Sequence, residues 1–149
     1  MSKAKELSSF KKHKILIDLV ANEIKKRSKG KLNVIYRKIE FKGDSLAKQL
    51  GAHIVVDKYR RSKSLYLRVN GRGGTFENHF SDYWRPRARK IKRTHKRLYL
   101  IFCRLDYECE KLGKLWFMPS KDFLNNKWMT PDGYKISLNG LVKKLNKLI

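Results

Sequence analysis

The most apolar run of the chain, LYLIFCRL from Leu98 to Leu105, places the strictest constraint on the fold. Charged residues bound it sharply on both sides, and it is much too short to cross a membrane, which takes about 20 apolar residues. A short apolar run of this kind is typical of a buried central strand. The sequence therefore predicts a β-sheet with this strand in its interior.

Further strand-like runs surround this one. HIVVDKY at 53–59 and SLYLRVN at 64–70 are separated by a charged turn and predict a hairpin, in which Leu65, Leu67 and Val69 face the core and the alternate face is polar. A strand over 114–118 should pair with the apolar run through the acidic loop 106–110. We also expect one strand within 32–41, an end to the hairpin at the glycines 71, 73 and 74, and a small hairpin at the turn 130–133.

Amphipathic helices are predicted at both ends of the chain. Apolar residues recur at helical spacing from the candidate N-caps Ser8 and Ser9 to Gly30, and again after Ser137 or Asn139, with lysines on the opposite face. A short helical turn is expected at 45–50. The order of elements predicts an α+β (or α/β) fold, with a central mixed β-sheet flanked by an N-terminal and a C-terminal helix. The length of 149 residues fits a single domain spanning 1–149.

The charge of the chain is far from balanced. There are 37 Lys and Arg against 13 Asp and Glu, a net charge of +24. This exceeds what solubility requires, and a polyanion would relieve the self-repulsion. The polar N-terminus and the lack of a long apolar run predict an intracellular protein that is neither secreted nor membrane-spanning. The two cysteines, Cys103 and Cys109, suit a reducing compartment.

The cations are concentrated in an acid-free stretch, residues 83–105. Six of its nine cations are arginines, whose planar fork pairs with phosphate oxygens, and the adjacent Trp84 could stack on an unpaired base. We therefore predict a nucleic-acid-binding protein, with DNA favoured over RNA; the alternative of a ribonucleoprotein component would prefer structured RNA. A homodimer is compatible with the sequence. The predicted binding residues are Arg68, Arg72, Trp84, Arg85, Arg87, Arg89, Lys90, Lys92, Arg93, Lys96 and Arg97.

No histidine cluster or nucleophile motif is visible, but three acids fall within predicted structure: Glu23 on the first helix, Asp44 in a turn and Asp57 at a strand end. This order, followed by the strand LYLRVN, resembles the PD-(D/E)XK nucleases over residues 10–125. The resemblance implies a restriction-endonuclease-like fold and an alternative function as a Mg²⁺-dependent endonuclease. Glu23, Asp44 and Asp57 would then be catalytic, with Asp44 and Asp57 holding the metal. Arg68 and Asn70 stand where the family carries an acid or Gln and then a Lys.

Overall fold

The computed structural model of the chain describes residues 7–41, 43–59, 63–73, 94–106, 108–125 and 131–149. In this part of the chain, six strands form one mixed sheet whose spatial order equals the chain order. β3 and β4 are parallel, and every other neighbouring pair is antiparallel. The strands are β1 (Asn33–Ile35), β2 (Ile54–Asp57), β3 (Leu65–Gly73), β4 (Leu98–Leu105), β5 (Leu112–Pro119) and β6 (Lys135–Ile136).

Four α-helices accompany the sheet in the described residues: α1 (Ser9–Ser28), α2 (Ser45–Leu50), α3 (Ser120–Asn125) and α4 (Leu138–Leu148). The hydroxyl of Ser8 accepts from the Lys11 N–H at 3.2 Å, and that of Ser137 accepts from the Gly140 N–H at 3.0 Å. Both side chains are therefore N-caps, because each satisfies an amide that has no partner within its helix. The α+β fold with a mixed sheet and a helix at each end is confirmed.

The sheet is covered on both faces. One core lies between the sheet and the two terminal helices, and it includes Ile24 of α1 and Leu141 of α4. The other core lies under α2 and α3 and includes Leu50 and Phe123. β4 contributes alternate residues to both cores, which is why its sequence is apolar throughout. The prediction of a buried central strand at Leu98–Leu105 is confirmed.

The one strand expected within 32–41 is present as the three-residue β1, which is followed by a 3₁₀ helix (Lys38–Phe41). Other local predictions are wrong. β3 continues through the glycines to Gly73, since β4 pairs with it along that length. The face of β3 predicted to be polar is covered, and Tyr66 and Asn70 are each 4% exposed. Pro131–Tyr134 is a 3₁₀ helix, and β6 pairs with β5; residues 126–130 lie outside the described residues.

Candidate nucleic-acid interface

The two terminal helices form one cationic surface. They pack side by side on the same face of the sheet, and Arg27 of α1 donates to the Asn139 side chain of α4 at 2.7 Å. The outward faces of these helices are rich in lysine because apolar residues occupy the inward faces. The exposed lysines on this surface are Lys25, Lys26, Lys143, Lys144 and Lys147.

A second group of lysines continues this surface at the end of α1 and at the β2–β3 hairpin. Lys29 ends α1 in the left-handed conformation with φ of 52°, and Lys31 follows after Gly30. Across from them, the Lys58 ammonium donates to the Asn146 carbonyl in the last turn of α4 at 2.8 Å. A cation at the carboxyl end of a helix is favourably placed against the helix dipole. The surface therefore joins α1, α4 and the hairpin.

The predicted binding residues are only partly within the described chain. Residues 84–93, which include Trp84 and most of the basic segment, lie outside it. Lys96 is exposed, whereas Arg97 is half-buried with its guanidinium 5.9 Å from the centre of the Tyr66 ring. The guanidinium of Arg68 lies against Gly51 at the end of α2, so close that a Cβ there would be 3.0 Å from Nη1. Arg68 and Arg97 thus pack against the fold. Of Arg72, only the backbone in β3 is described.

The structure brings Asp44 and Asp57 together and leaves Glu23 apart. A cavity of about 220 Å³ is lined by both aspartates and by Glu40, which the sequence did not single out. Glu23 faces the neighbouring turn of α1, where its carboxylate pairs with Arg27 at 2.8 Å. The three acids of the nuclease resemblance are therefore not assembled around one point.

Asp44 and Asp57 each stabilise the local backbone. Asp44 caps α2 by accepting from the Ala47 N–H at 3.1 Å, and it also accepts from the Tyr66 hydroxyl at 3.1 and 3.2 Å. Burial, together with the hydrogen bond to Asp44, raises the pKa of Tyr66 to about 12. Asp57, only 3% exposed, accepts from the Tyr59 N–H at 2.6 Å and from the Asn33 amide at 3.3 Å. Both carboxylates thus have structural partners.

The register of the β2–β3 hairpin also separates Asp57 from the residues that the resemblance places beside it. Val56 pairs with Leu65 and Ile54 with Leu67, so Asp57 lies at the turn and Asn70 at the opposite end of the hairpin. Histidines occupy that opposite end. His53 Nδ1 accepts from the Val69 N–H at 2.8 Å, and His13 Nε2 is 2.6 Å from the Val69 carbonyl oxygen.

These two histidines are the clearest polar feature that sequence reasoning missed. Their ring centroids are 4.7 Å apart in an edge-on arrangement. His13 lies on α1 and His53 just before β2, so no sequence spacing indicates the contact. The sequence offers only a weak indication of this contact. Each histidine lies beside an apolar run, where a polar side chain must find a hydrogen-bond partner on the backbone. The two histidines contact the N–H and the carbonyl of Val69 in β3, at a position beyond the end of β2.

Across the described ranges, no three His, Cys, Asp or Glu side chains are grouped closely enough to hold a metal ion. No helix in those ranges is long and apolar enough to span a bilayer. No protein-family model, curated protein or solved structure matches this chain. The class that the fold defines is an α+β protein with a mixed sheet.

Proposed function

We propose that this protein binds nucleic acid through phosphate contacts, with DNA as the favoured partner. The observation that carries the proposal is the cationic surface of α1 and α4, in a chain with a net charge of +24. Phosphate contacts release counterions, so a charge excess of this size converts directly into affinity for a polyanion. The acid-free segment 83–105 adds to the same affinity.

The test is the salt dependence of binding, measured by fluorescence anisotropy with labelled duplex DNA. Each phosphate contact contributes about 0.9 to the slope of log K against log salt. Replacing Arg85, Arg87, Arg89 and Lys90 with Gln should therefore weaken binding and reduce the slope by up to about 3.6. An unchanged slope would refute a role for the basic segment.

The helical surface has its own matched pair of variants. Replacement of Lys26, Lys143 and Lys147 by Gln removes three exposed cations from α1 and α4. The control replaces Lys111, Lys114 and Lys121, which are also exposed but lie just before β5, in β5 and in α3, respectively. Both variants lose the same charge, so only a specific surface makes the first bind more weakly than the second. Competition with structured RNA and duplex DNA then separates DNA binding from a ribonucleoprotein role.

A Mg²⁺-dependent endonuclease is the second candidate, and the cavity shared by Asp44 and Asp57 is what favours it. The described residues do not fit a metal site well, because both carboxylates hold backbone amides and Glu23 lies elsewhere. Plasmid DNA incubated with Mg²⁺ or Mn²⁺ under conditions where binding is demonstrated tests this function. Intact plasmid would exclude it, and cleavage that survives replacement of both aspartates would exclude this site.

A further inference from the structure

The cavity beside the β2–β3 hairpin has the size and walls of a site for one planar ring system. Its volume is about 220 Å³, and Asn33, Glu40, Asp44, Asp57, Tyr59 and Ser64 supply its polar lining. A cavity of about 150 Å³ is enough to hold benzene. There is therefore room for a nucleobase, and the lining offers hydrogen-bonding groups around its edge.

Tyr59 gives this cavity an exposed aromatic wall. The side chain is 68% exposed, and the backbone has a φ of 65°, which L-residues other than Asn and Asp rarely adopt. Two hydrogen bonds hold it: its N–H donates to Asp57 Oδ1 at 2.6 Å, and its hydroxyl donates to the Gly30 carbonyl at 3.3 Å. A strained, exposed and fixed aromatic residue is common at binding sites, and aromatic side chains are the platforms on which unpaired bases stack.

Three exposed lysines lie next to this wall. Lys63 precedes Ser64 of the cavity lining, and Lys29 and Lys31 flank Gly30, whose carbonyl accepts from the Tyr59 hydroxyl. The ammonium of Lys58 is bonded to Asn146 of α4 and is not one of them. Phosphates on either side of a stacked base would meet these three lysines. The acids line the cavity, where they repel phosphate and offer hydrogen-bond acceptors to a base.

The acceptors in the cavity favour particular bases. Carboxylates accept from the exocyclic amino groups of cytosine, adenine and guanine. Thymine and uracil have no amino group, and their single N3–H lies between two carbonyl oxygens that the carboxylates would repel. Asp57 accepts its two hydrogen bonds through Oδ1 and so has a second oxygen as an acceptor. We propose that this cavity binds one unpaired nucleobase bearing an amino group, stacked on Tyr59 with its neighbouring phosphates on Lys29, Lys31 and Lys63.

This inference rests on the proposed nucleic-acid binding and adds a preference for bases that carry an amino group, which charge alone cannot produce. The assay is anisotropy with labelled eight-nucleotide strands of dC, dT, rC and rU at several salt concentrations. We expect the dC strand to bind at least five times more tightly than dT, and rC more tightly than rU. The deoxy and ribo strands show which nucleic acid is preferred. Equal binding of dC and dT would overturn the base site, while a retained salt slope would leave nucleic-acid binding intact. Absence of binding by all four strands would overturn the base site, and absence of duplex binding as well would overturn the proposed function.

Three variants make the test specific to the cavity. Glu40→Gln, an exposed acid, should reduce the preference for dC over dT without changing folding. Tyr59→Gly should weaken binding of every strand about tenfold while stability against urea stays equal or increases, since glycine accepts the positive φ. Phe10→Ala removes an aromatic residue that is 78% exposed elsewhere, so it should leave binding unchanged. Full binding by Tyr59→Gly, or equal losses with Phe10→Ala, would refute the site.

Discussion

Replacement of Asp44 decides whether this residue is a structural or a catalytic acid. Its carboxylate caps α2 and accepts the hydroxyl of Tyr66, a residue only 4% exposed. Asp44→Ala removes the cap and leaves a buried hydroxyl without its acceptor. Tyr66→Phe removes the hydroxyl and keeps the cap. The double variant removes both groups, so the three together form a double-mutant cycle.

The expected energies follow from these contacts. Loss of an N-cap costs about 1 kcal/mol, and leaving a buried hydroxyl unsatisfied costs about 1–3 kcal/mol. Asp44→Ala should therefore lower the free energy of unfolding by about 2–4 kcal/mol. In the double variant no hydroxyl is orphaned, so the sum of the single losses should exceed the double loss by about 1–2 kcal/mol. Asp44→Asn retains a good capping side chain and should cost less than Asp44→Ala.

Urea unfolding followed by tryptophan fluorescence measures the wild type and the four variants, because Trp116 is buried and reports on the core. Additivity within about 0.5 kcal/mol would show that the Asp44–Tyr66 hydrogen bond contributes nothing specific and would refute the structural role. The same variants are assayed on plasmid with Mg²⁺. A nuclease using Asp44 would lose cleavage in Asp44→Asn even where that variant remains stable.

Three further predictions concern other parts of the fold. Burial raises the pKa of the Cys103 thiol, so a thiol reagent at neutral pH should label neither buried cysteine until urea unfolds the chain; prompt labelling of the native protein would contradict this. His53→Ala leaves the Val69 N–H without its acceptor and should cost about 1–3 kcal/mol in urea unfolding; no loss would show that the contact is dispensable. The backbone N–H of Lys111 is the main cause of a lowered pKa at Asp106. The ionised Asp106 therefore stabilises the fold fully above the pKa of the unfolded state, near 3.8, and this contribution is lost as the pH falls through the lower pKa of the folded state. Asp106→Asn should therefore reduce the loss of folding free energy below about pH 4, and an unchanged dependence of stability on pH would refute this.

The elements that the sequence predicted correctly are those with a strong local pattern. Leu98–Leu105 is apolar throughout and flanked by charge, and the terminal helices combine a capping serine with an apolar stripe. Such patterns are set by residues close in sequence. The wrong predictions concern contacts between segments far apart in sequence: β3 continues to Gly73 because β4 pairs with it, and no local pattern specifies that register.

The site was less predictable for the same reason. The sequence singles out Asp44 and Asp57 because acids are rare in it, and they do line one cavity, but no local pattern indicates the tyrosine that forms its wall. The exposure of Tyr59 depends on a positive φ, which follows from the turn at Asp57 and not from the tyrosine itself. The His13–His53 contact joins residues that are 40 positions apart, and only the packing of α1 against the sheet brings them together.

The placement of three aspartates shows how acids serve the fold without neutralising the terminal helices. Asp44, Asp57 and Asp106 all accept hydrogen bonds from backbone amides at turns or caps. In the described part of the chain, a single ion pair within 4.0 Å joins Arg27 to Glu23. These three aspartates therefore stabilise the backbone without pairing with the lysines of the terminal helices. Since surface ion pairs contribute little to stability, this arrangement costs the fold little, and it preserves the cationic surface on which the proposed phosphate binding depends.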